Sequence, residues 1–411
     1  MQPTAPEINT GHADSPSVLR ALVPVFFYSA VVGVTTVMLG PLLPELIQHW
    51  HIQDAQAGTL FTAAFTGQLC GACFAARRLR ASVLYGAAIT SAGCLAMIWA
   101  TFHVALIALF GVGLGIGAGL TAGNILVGTV VPSARARLLA LLNVVWSCGA
   151  IASPAIVSAC GPAGLRTFFL IASALLGVAA VFAIIIPRSG KPQNEASSST
   201  AVILPDAKPK RLRIPLTRLS LLAFATAMLL FVGAENALGG WLPTYAVRIN
   251  PSASFTNIAM YFWMAELAGR LLMAIPTNWF SEATLYRVSA AMLFLVVMLL
   301  LGLPHLAGSG MIVLTVLCGL ALAPLYPLMV AFLLARTGSH PGLGPLFASA
   351  SLGGATLPWF TGIVSTHFSS LRVGFAVPAT AALLLLLLSV GITSKPARKA
   401  EGGTRHEAIA S

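Results

Sequence analysis

Apolar runs of about twenty residues recur along the chain between short polar stretches. Leu22 to Leu43, Ser82 to Thr101, Leu165 to Ile186 and Val373 to Ile392 are examples. Each is close to the roughly 20 residues that cross about 30 Å of hydrocarbon as a helix. A membrane barrel would instead alternate strictly over segments of roughly 10 residues, and no such alternation occurs. The runs predict an all-α membrane protein with twelve transmembrane helices at 22–47, 57–76, 82–101, 103–131, 138–159, 165–186, 219–247, 256–276, 284–303, 308–335, 342–366 and 372–393. Between Pro187 and Thr217 the apolar runs stop. Ser197 to Ser199, four further prolines and several basic residues mark a polar linker there. The expected division is a tail at 1–21, a six-helix bundle at 22–186, a linker at 187–218, a second bundle at 219–393 and a tail at 394–411.

The two bundles repeat one another at an offset of about 200 residues. Gly33 and Gly40 of the first span match Gly233 and Gly240 of the seventh, each followed by Leu-Pro at Leu43-Pro44 and Leu242-Pro243. Gln68-Leu69-Cys70-Gly71 matches Glu266-Leu267-Ala268-Gly269. Ser147, Gly149, Ala150 and Pro154 match Ser351, Gly353, Gly354 and Pro358 with identical spacing, and Arg166 and Phe169 match Arg372 and Phe375. Four matches in one order predict two pseudo-symmetric halves, the plan of a secondary transporter.

Composition agrees with burial in lipid: 57% of the residues are hydrophobic and 8% charged, against about 25% charged in soluble domains. The net charge of +12 suggests nucleic acid, but its placement points to topology. Arg77, Arg78 and Arg80 follow the second span, Arg135 and Arg137 the fourth, and Lys395, Arg398, Lys399 and Arg405 the last. Seven more basic residues lie between Arg188 and Arg218, whereas only Arg166, Arg248 and Arg372 sit at the opposite side. The positive-inside rule then places both termini in the cytoplasm of a multi-pass inner-membrane protein. The polar start, Met1 to Ser17, lacks a basic region and a cleavage site, so the first span is expected to be an uncleaved anchor. The six cysteines lie in or beside spans, and the Cys70–Cys73 pair has no second pair or nearby His to complete a metal site. No metal and no cofactor are expected.

The chemistry has to come from polar groups within the spans. A charge at the bilayer centre costs at least about 2.5–3.5 kcal/mol on the insertion scale, so each has a reason to be there. Glu235 lies in the seventh span beside Asn236 and one turn before Gly239-Gly240, with Pro243 beyond. Two glycines and a proline predict a loosened, discontinuous helix, where a carboxyl can take and release a proton as its cavity changes sides. No Arg or Lys lies within a turn of it in sequence. Glu266 has Arg270 four residues on and reads first as half of an i,i+4 pair. Trp263 shares its face, and an aromatic ring beside a carboxyl is one way to hold a sugar. Gln68, Asn124, Asn143, Trp146, Trp241 and Tyr326 complete the candidate solute site; each can equally be packing or a helix-to-helix contact. Gln68, Asn124, Asn143, Glu235 and Asn236 are expected to face one cavity. The glycines at 111, 113, 115, 117 and 119 contain GxGxxG-like fragments, but no strand precedes them. They read as close-packing positions. The absence of a Walker loop, HExxH or nucleophile elbow argues against an ATP-driven pump and against an enzyme.

The duplicated plan with a long basic central loop resembles the major facilitator superfamily over essentially the whole chain. Leu39 to Pro44, Gly113 to Asn124, Leu141-Leu142-Asn143 with Gly149-Ala150 and Pro154, and Val232 to Glu235 with Gly239-Gly240-Trp241 and Thr244-Tyr245 are similar to its fucose permease and glucose/mannose:proton symporter branch. The resemblance also puts an acid at the position of Glu235. It implies the major facilitator fold, alternating access, proton-coupled uptake of a sugar, and a monomer whose partners are solute, protons and the bilayer. One departure stands out. The family's loop after the second span carries a Gly and then an Asp-Arg pair, and here reads Gly71-Ala72-Cys73-Phe74-Ala75-Ala76-Arg77-Arg78, without the Asp. Two other readings stay open: proton-antiport efflux of drugs or metabolites, whose Gly-x-x-x-Gly-Pro pattern is only partly met at Gly149 to Ser158, and a transport-inactive sensor or scaffold.

Overall fold

The computed structural model describes residues 16–75, 78–130, 135–161, 164–184, 218–251, 254–273, 281–303, 308–337 and 344–393. The expected linker, all but Arg218, and the C-terminal tail lie outside them. The N-terminal half consists of α1 (Pro16–Thr36), α2 (Leu39–Trp50), α3 (Asp54–Phe74), α4 (Leu79–Met97), α5 (Phe102–Val130), α6 (Arg135–Cys160) and α7 (Gly164–Ile184). The C-terminal half consists of α8 (Arg218–Ile249), α9 (Phe255–Met273), α10 (Glu282–Gly302), α11 (Gly308–Leu322), α12 (Leu325–Thr337), α13 (Gly344–His367), α14 (Leu371–Gly374) and α15 (Ala376–Thr393). The described elements are all helical. They make twelve crossings, because the first, tenth and last are each built of two helices: α1 with α2, α11 with α12, and α14 with α15.

The breaks differ from the expected ones. The seventh crossing, expected to be discontinuous, is one unbroken helix of 32 residues with Pro243 inside it. The first crossing is the bent one, by 42° at Val37-Met38, and the tenth breaks at Ala323-Pro324. Proline is tolerated inside α8 because only one backbone bond is lost, the one that would end on the Gly239 carbonyl four residues back. That carbonyl is turned at Gly40 of α2, so closely that a Cβ on Gly40 would stand 2.5 Å from it. The Gly239-Gly240 pair therefore serves close approach on two sides: a Cβ on Gly240 would meet the Phe61 ring of the other half, and one on Gly239 the Phe262 and Trp263 rings of α9 in its own half.

Packing within the halves repeats as the sequence does. α1 packs on α6, and α8 on α13. A Cβ at Gly149 would run into the Ala30 carbonyl, and one at its repeat mate Gly353 into the Leu229 carbonyl. Gly113 and Gly117 of the glycine-rich stretch let α5 lie against the α3 backbone at Ala64 and Gln68, while Gly115 faces Thr90 and Gly86 of α4. Lipid gives helices no hydrophobic drive to associate, so close backbone approach through small residues supplies the contact energy. At the end of the molecule where α7 and α15 finish, arginines close the free helix carbonyls. Arg80 donates to the Ile184 carbonyl, Arg336 to the Ile392 and Gly391 carbonyls at 2.6 and 3.0 Å, and Arg287 to the Thr393 hydroxyl at 2.7 Å.

The halves meet along α3 with α13, α6 with α9, and α2 with α8. Of the twelve crossings, α3, α9 and α13 are the ones not apolar enough to pass as spans on their own. Those three face protein across the seam, which explains their polar residues.

Candidate functional site

At the centre of the C-terminal half, Arg270 of α9 bonds two carboxyls through one nitrogen. It donates to Glu266 one turn back on its own helix, and to Glu235 of α8 at 3.3 Å. No Arg or Lys lies within a turn of Glu235 in sequence, and the fold supplies its cation from α9, 35 residues away. The side chains of Glu235 and Arg270 are 13% and 28% exposed and that of Glu266 is 1% exposed. Because one Arg270 nitrogen reaches both, the two carboxyls lie side by side. The Tyr326 ring packs on Phe231, 5.5 Å between centroids. Its place follows from the break at Pro324, which starts α12 afresh at this level. Glu266 Oε2 is buried and has no hydrogen-bond partner among the described residues. An unmet buried acceptor costs about 1–3 kcal/mol, more when charged.

Aromatic rings bring the other half to this place. Trp146 of α6 meets Trp263 of α9 edge to face, with centroids 6.3 Å apart and planes at 88°. Both indole nitrogens are buried without a partner among the described residues. Asn143 lies one turn from Trp146 and is exposed; its amide donates to the Leu139 carbonyl at 3.1 Å. Asn124 and Asn236 hold the same posture, donating to Leu120 and Val232 at 2.9 and 2.8 Å. Asn124 is exposed on the α5 face it shares with Gly113 and Gly117, turned from the lipid-side residues Val104, Ile107 and Gly111. Gln68 is half-buried and lines a small cleft of the N-terminal half with Thr35, Thr36, Leu39 and Phe65. The structure thus brings Glu235, Glu266 and Arg270 together, with Tyr326 packed on Phe231 one turn before Glu235, and Trp263 one turn before Glu266 and against Trp146 of the other half; Gln68 and Asn124 lie on α3 and α5 of the N-terminal half. Trp241 belongs elsewhere in this conformation. It is fully buried, donates to the Pro358 carbonyl at 2.9 Å and packs near Phe61, so it closes the seam between the halves.

Sequence reasoning missed the seam's other closure. Asp54, the first residue of α3, forms a two-pronged ion pair with Arg248 near the end of α8, at 2.6 and 2.7 Å. Ser365 of α13 donates to the same carboxylate at 2.5 Å, and the Ala55 amide donates to the Thr366 hydroxyl at 2.8 Å. Deeper along the seam, Thr62 donates to the Ala355 carbonyl at 2.7 Å, and a Cβ on Gly354 would meet the Phe65 ring. One turn further Thr66 is exposed, as is Leu352 on the Trp359 face of α13. The halves are closed at the Asp54 end and part towards the end that carries Asn124 and Asn143.

A helical membrane protein of two six-helix halves, joined at one end and holding its few charges at the centre, is built as a transporter. The chain belongs to the Major Facilitator Superfamily, whose family model matches residues 25–344. It is 24% identical over 379 residues to the Saccharomyces cerevisiae "Bypass of stop codon protein 6", an alignment spanning 82% of this chain and 75% of that protein. Its fold is similar to that of a bacterial homologue of the human lysosomal transporter Spinster in an inward-facing, occupied conformation: TM-score 0.68, 15% identity, 92% of this chain and 97% of that one. It is also similar to the E. coli fucose:proton symporter FucP: TM-score 0.59, 18% identity, 92% of this chain and 98% of that one.

Proposed function

We propose that this chain is a proton-coupled symporter that takes up a small polar solute, a sugar in the preferred version, across the inner membrane. It works as a monomer, with both termini in the cytoplasm and Glu235 as the proton carrier. The observation that supports it most is one guanidinium shared by two carboxyls. Arginine keeps its charge, so with both acids ionised the trio carries one net negative charge in a largely buried place. A single proton makes it neutral, and two carboxyls side by side favour sharing one. That proton also supplies the donor that Glu266 Oε2 lacks. Glu235 is the acid with access: its side chain is 13% exposed against 1% for Glu266, and its bond to Arg270 is the longer of the two. Release of the proton lets Arg270 draw Glu235 closer, a small local change between two charge states that the rocking halves can follow.

The same negative balance favours a second reading, in which a cationic solute displaces the proton and leaves the cell by antiport. One experiment separates them. The compound that stabilises the purified protein in a thermal-shift screen of hexoses, deoxyhexoses, sugar acids and cationic drugs is added outside proteoliposomes. Symport alkalinises the outer medium as solute enters, and antiport acidifies it. Glu235→Gln keeps size and hydrogen bonding but cannot titrate, so it is expected to abolish accumulation driven by a pH gradient while keeping downhill exchange of the same solute. Intact uphill transport in Glu235→Gln, with loss in Glu266→Gln, moves the coupling role to Glu266.

A further inference from the structure

Two pure donors meet at the contact between α6 and α9, and neither is used. The Nε1 atoms of Trp146 and Trp263 are buried without a hydrogen-bond partner among the described residues, and Trp263 as a whole is 6% exposed. Buried donors are nearly always paired, so two orphans at one ring contact between the halves call for a ligand rather than for packing. An indole N–H can only donate and so needs an acceptor.

The neighbouring asparagines offer the opposite. A backbone carbonyl can only accept, so the amide nitrogen of Asn143 must be the atom facing Leu139, and its Oδ1 is turned away from the helix as an acceptor. The same holds for Asn236, whose nitrogen faces the Val232 carbonyl beside Glu235. Asn143 and Trp146 are three residues apart and share a face of α6. α6 therefore presents an acceptor and a donor one turn apart, and α9 presents a second donor against the first.

We infer that Asn143, Trp146 and Trp263 form a hydroxyl-reading subsite that spans the two halves and selects an uncharged, polyhydroxylated solute. This rests on the transporter reading and adds the chemical class and the residues that choose it. A hydroxyl is the small neutral group that accepts through its oxygen and donates through its hydrogen. A hydroxyl seated on Trp146 takes the indole proton and gives its own to Asn143 Oδ1. A second hydroxyl takes the proton of Trp263, while the ring faces cover the solute's C–H surface. A carboxylate accepts but cannot donate, and would bring a negative charge towards Glu266. A quaternary ammonium ion does neither. Because one indole belongs to each half, a solute with two hydroxyls holds the halves in register from both sides.

The test is isothermal titration of the full-length protein with a hexose, the matching alditol, the matching hexuronate and tetraethylammonium. Hexose and alditol are expected to bind saturably, and the two ions at least tenfold more weakly. Trp146→Phe and Trp263→Phe keep a ring and remove the N–H; each is expected to weaken hexose binding at least fivefold. Trp99→Phe, on an exposed tryptophan remote from the seam, is expected to change nothing. Asn143→Leu loses binding and Asn143→Asp, which keeps an acceptor, restores part of it. Thermal unfolding of each variant checks that it is folded. Hexose affinity unchanged in both Trp→Phe variants, no saturable binding of hexose or alditol, or preference for either ion overturns the inference. Failure of the transporter reading has a different signature: no counterflow of any of the four compounds in proteoliposomes.

Discussion

Asp54 accepts from three side-chain donors, two on Arg248 and one on Ser365, so its carboxylate ties α3 to both α8 and α13. Arg248 is 41% exposed, and a pair open to water to that extent contributes up to about 1 kcal/mol, a change of roughly fivefold in the balance of open and closed forms. Asp54→Asn is therefore expected to raise the population open at this end about fivefold. Electron–electron distance measurements between spin labels at Gln48 and Asn257, one in each half, check it. An unchanged distance distribution removes the ion pair from the gating account. This pair was not legible in the sequence. Charges at the ends of spans look like interface residues whatever they touch, and no spacing rule links residues 194 apart. Glu235 and Glu266 were legible because charge inside an apolar run has few innocent explanations. Their common arginine was not, since only folding brings α8 beside α9.

At the scale of helices, the seam of α3 with α13 depends on the absence of side chains. Gly58 lies against the backbone of Trp359, and a Cβ at Gly354 would stand 2.6 Å from the Phe65 ring. Gly354→Val needs α13 to move off α3, at a cost of about 1–3 kcal/mol for overpacking. The expected result is a carrier biased towards opening at the Asp54 end. In a background without the six native cysteines, an impermeant maleimide should then label a cysteine at Thr244, 3% exposed here, several times faster than in the parent. An equal or slower rate counts against a glycine-dependent seal. Gly354 and Gly240 stood out as anchors of the repeat, whereas nothing in the sequence singled out Gly58. The purpose of the glycines in α8 was not legible: Gly239, Gly240 and Pro243 suggested a broken helix, and the structure keeps the helix unbroken, with Gly240 against Phe61 and the Gly239 carbonyl against Gly40 of the other half.

For the whole molecule, long apolar runs made twelve crossings legible, and the duplicated anchors made two halves legible, because both are statements about single helices and their order. How far the halves stand apart is set by side chains that pair across the seam, which no periodicity records. Orientation in the bilayer rests on the arginines. A reporter active only in the cytoplasm should work after Arg80, in the 187–217 linker and at the C-terminus, and fail after Ile52 or Pro251. Reversed activity overturns the orientation and the reading of the charge.

The half-exposed Asp54–Arg248 pair has a consequence for the carrier as a sensor. Charges in water are screened over about 8 Å at physiological ionic strength and about 3 Å at 1 M, whereas the Arg270 trio lies inside protein and is screened much less. Raising salt in the compartment that Asp54 faces loosens the contact on that side alone, and the same salt on the other side leaves it intact. The expected result is a resting carrier that responds to the electrolyte content of one compartment, with more sites open at the Asp54 end as that compartment becomes more concentrated.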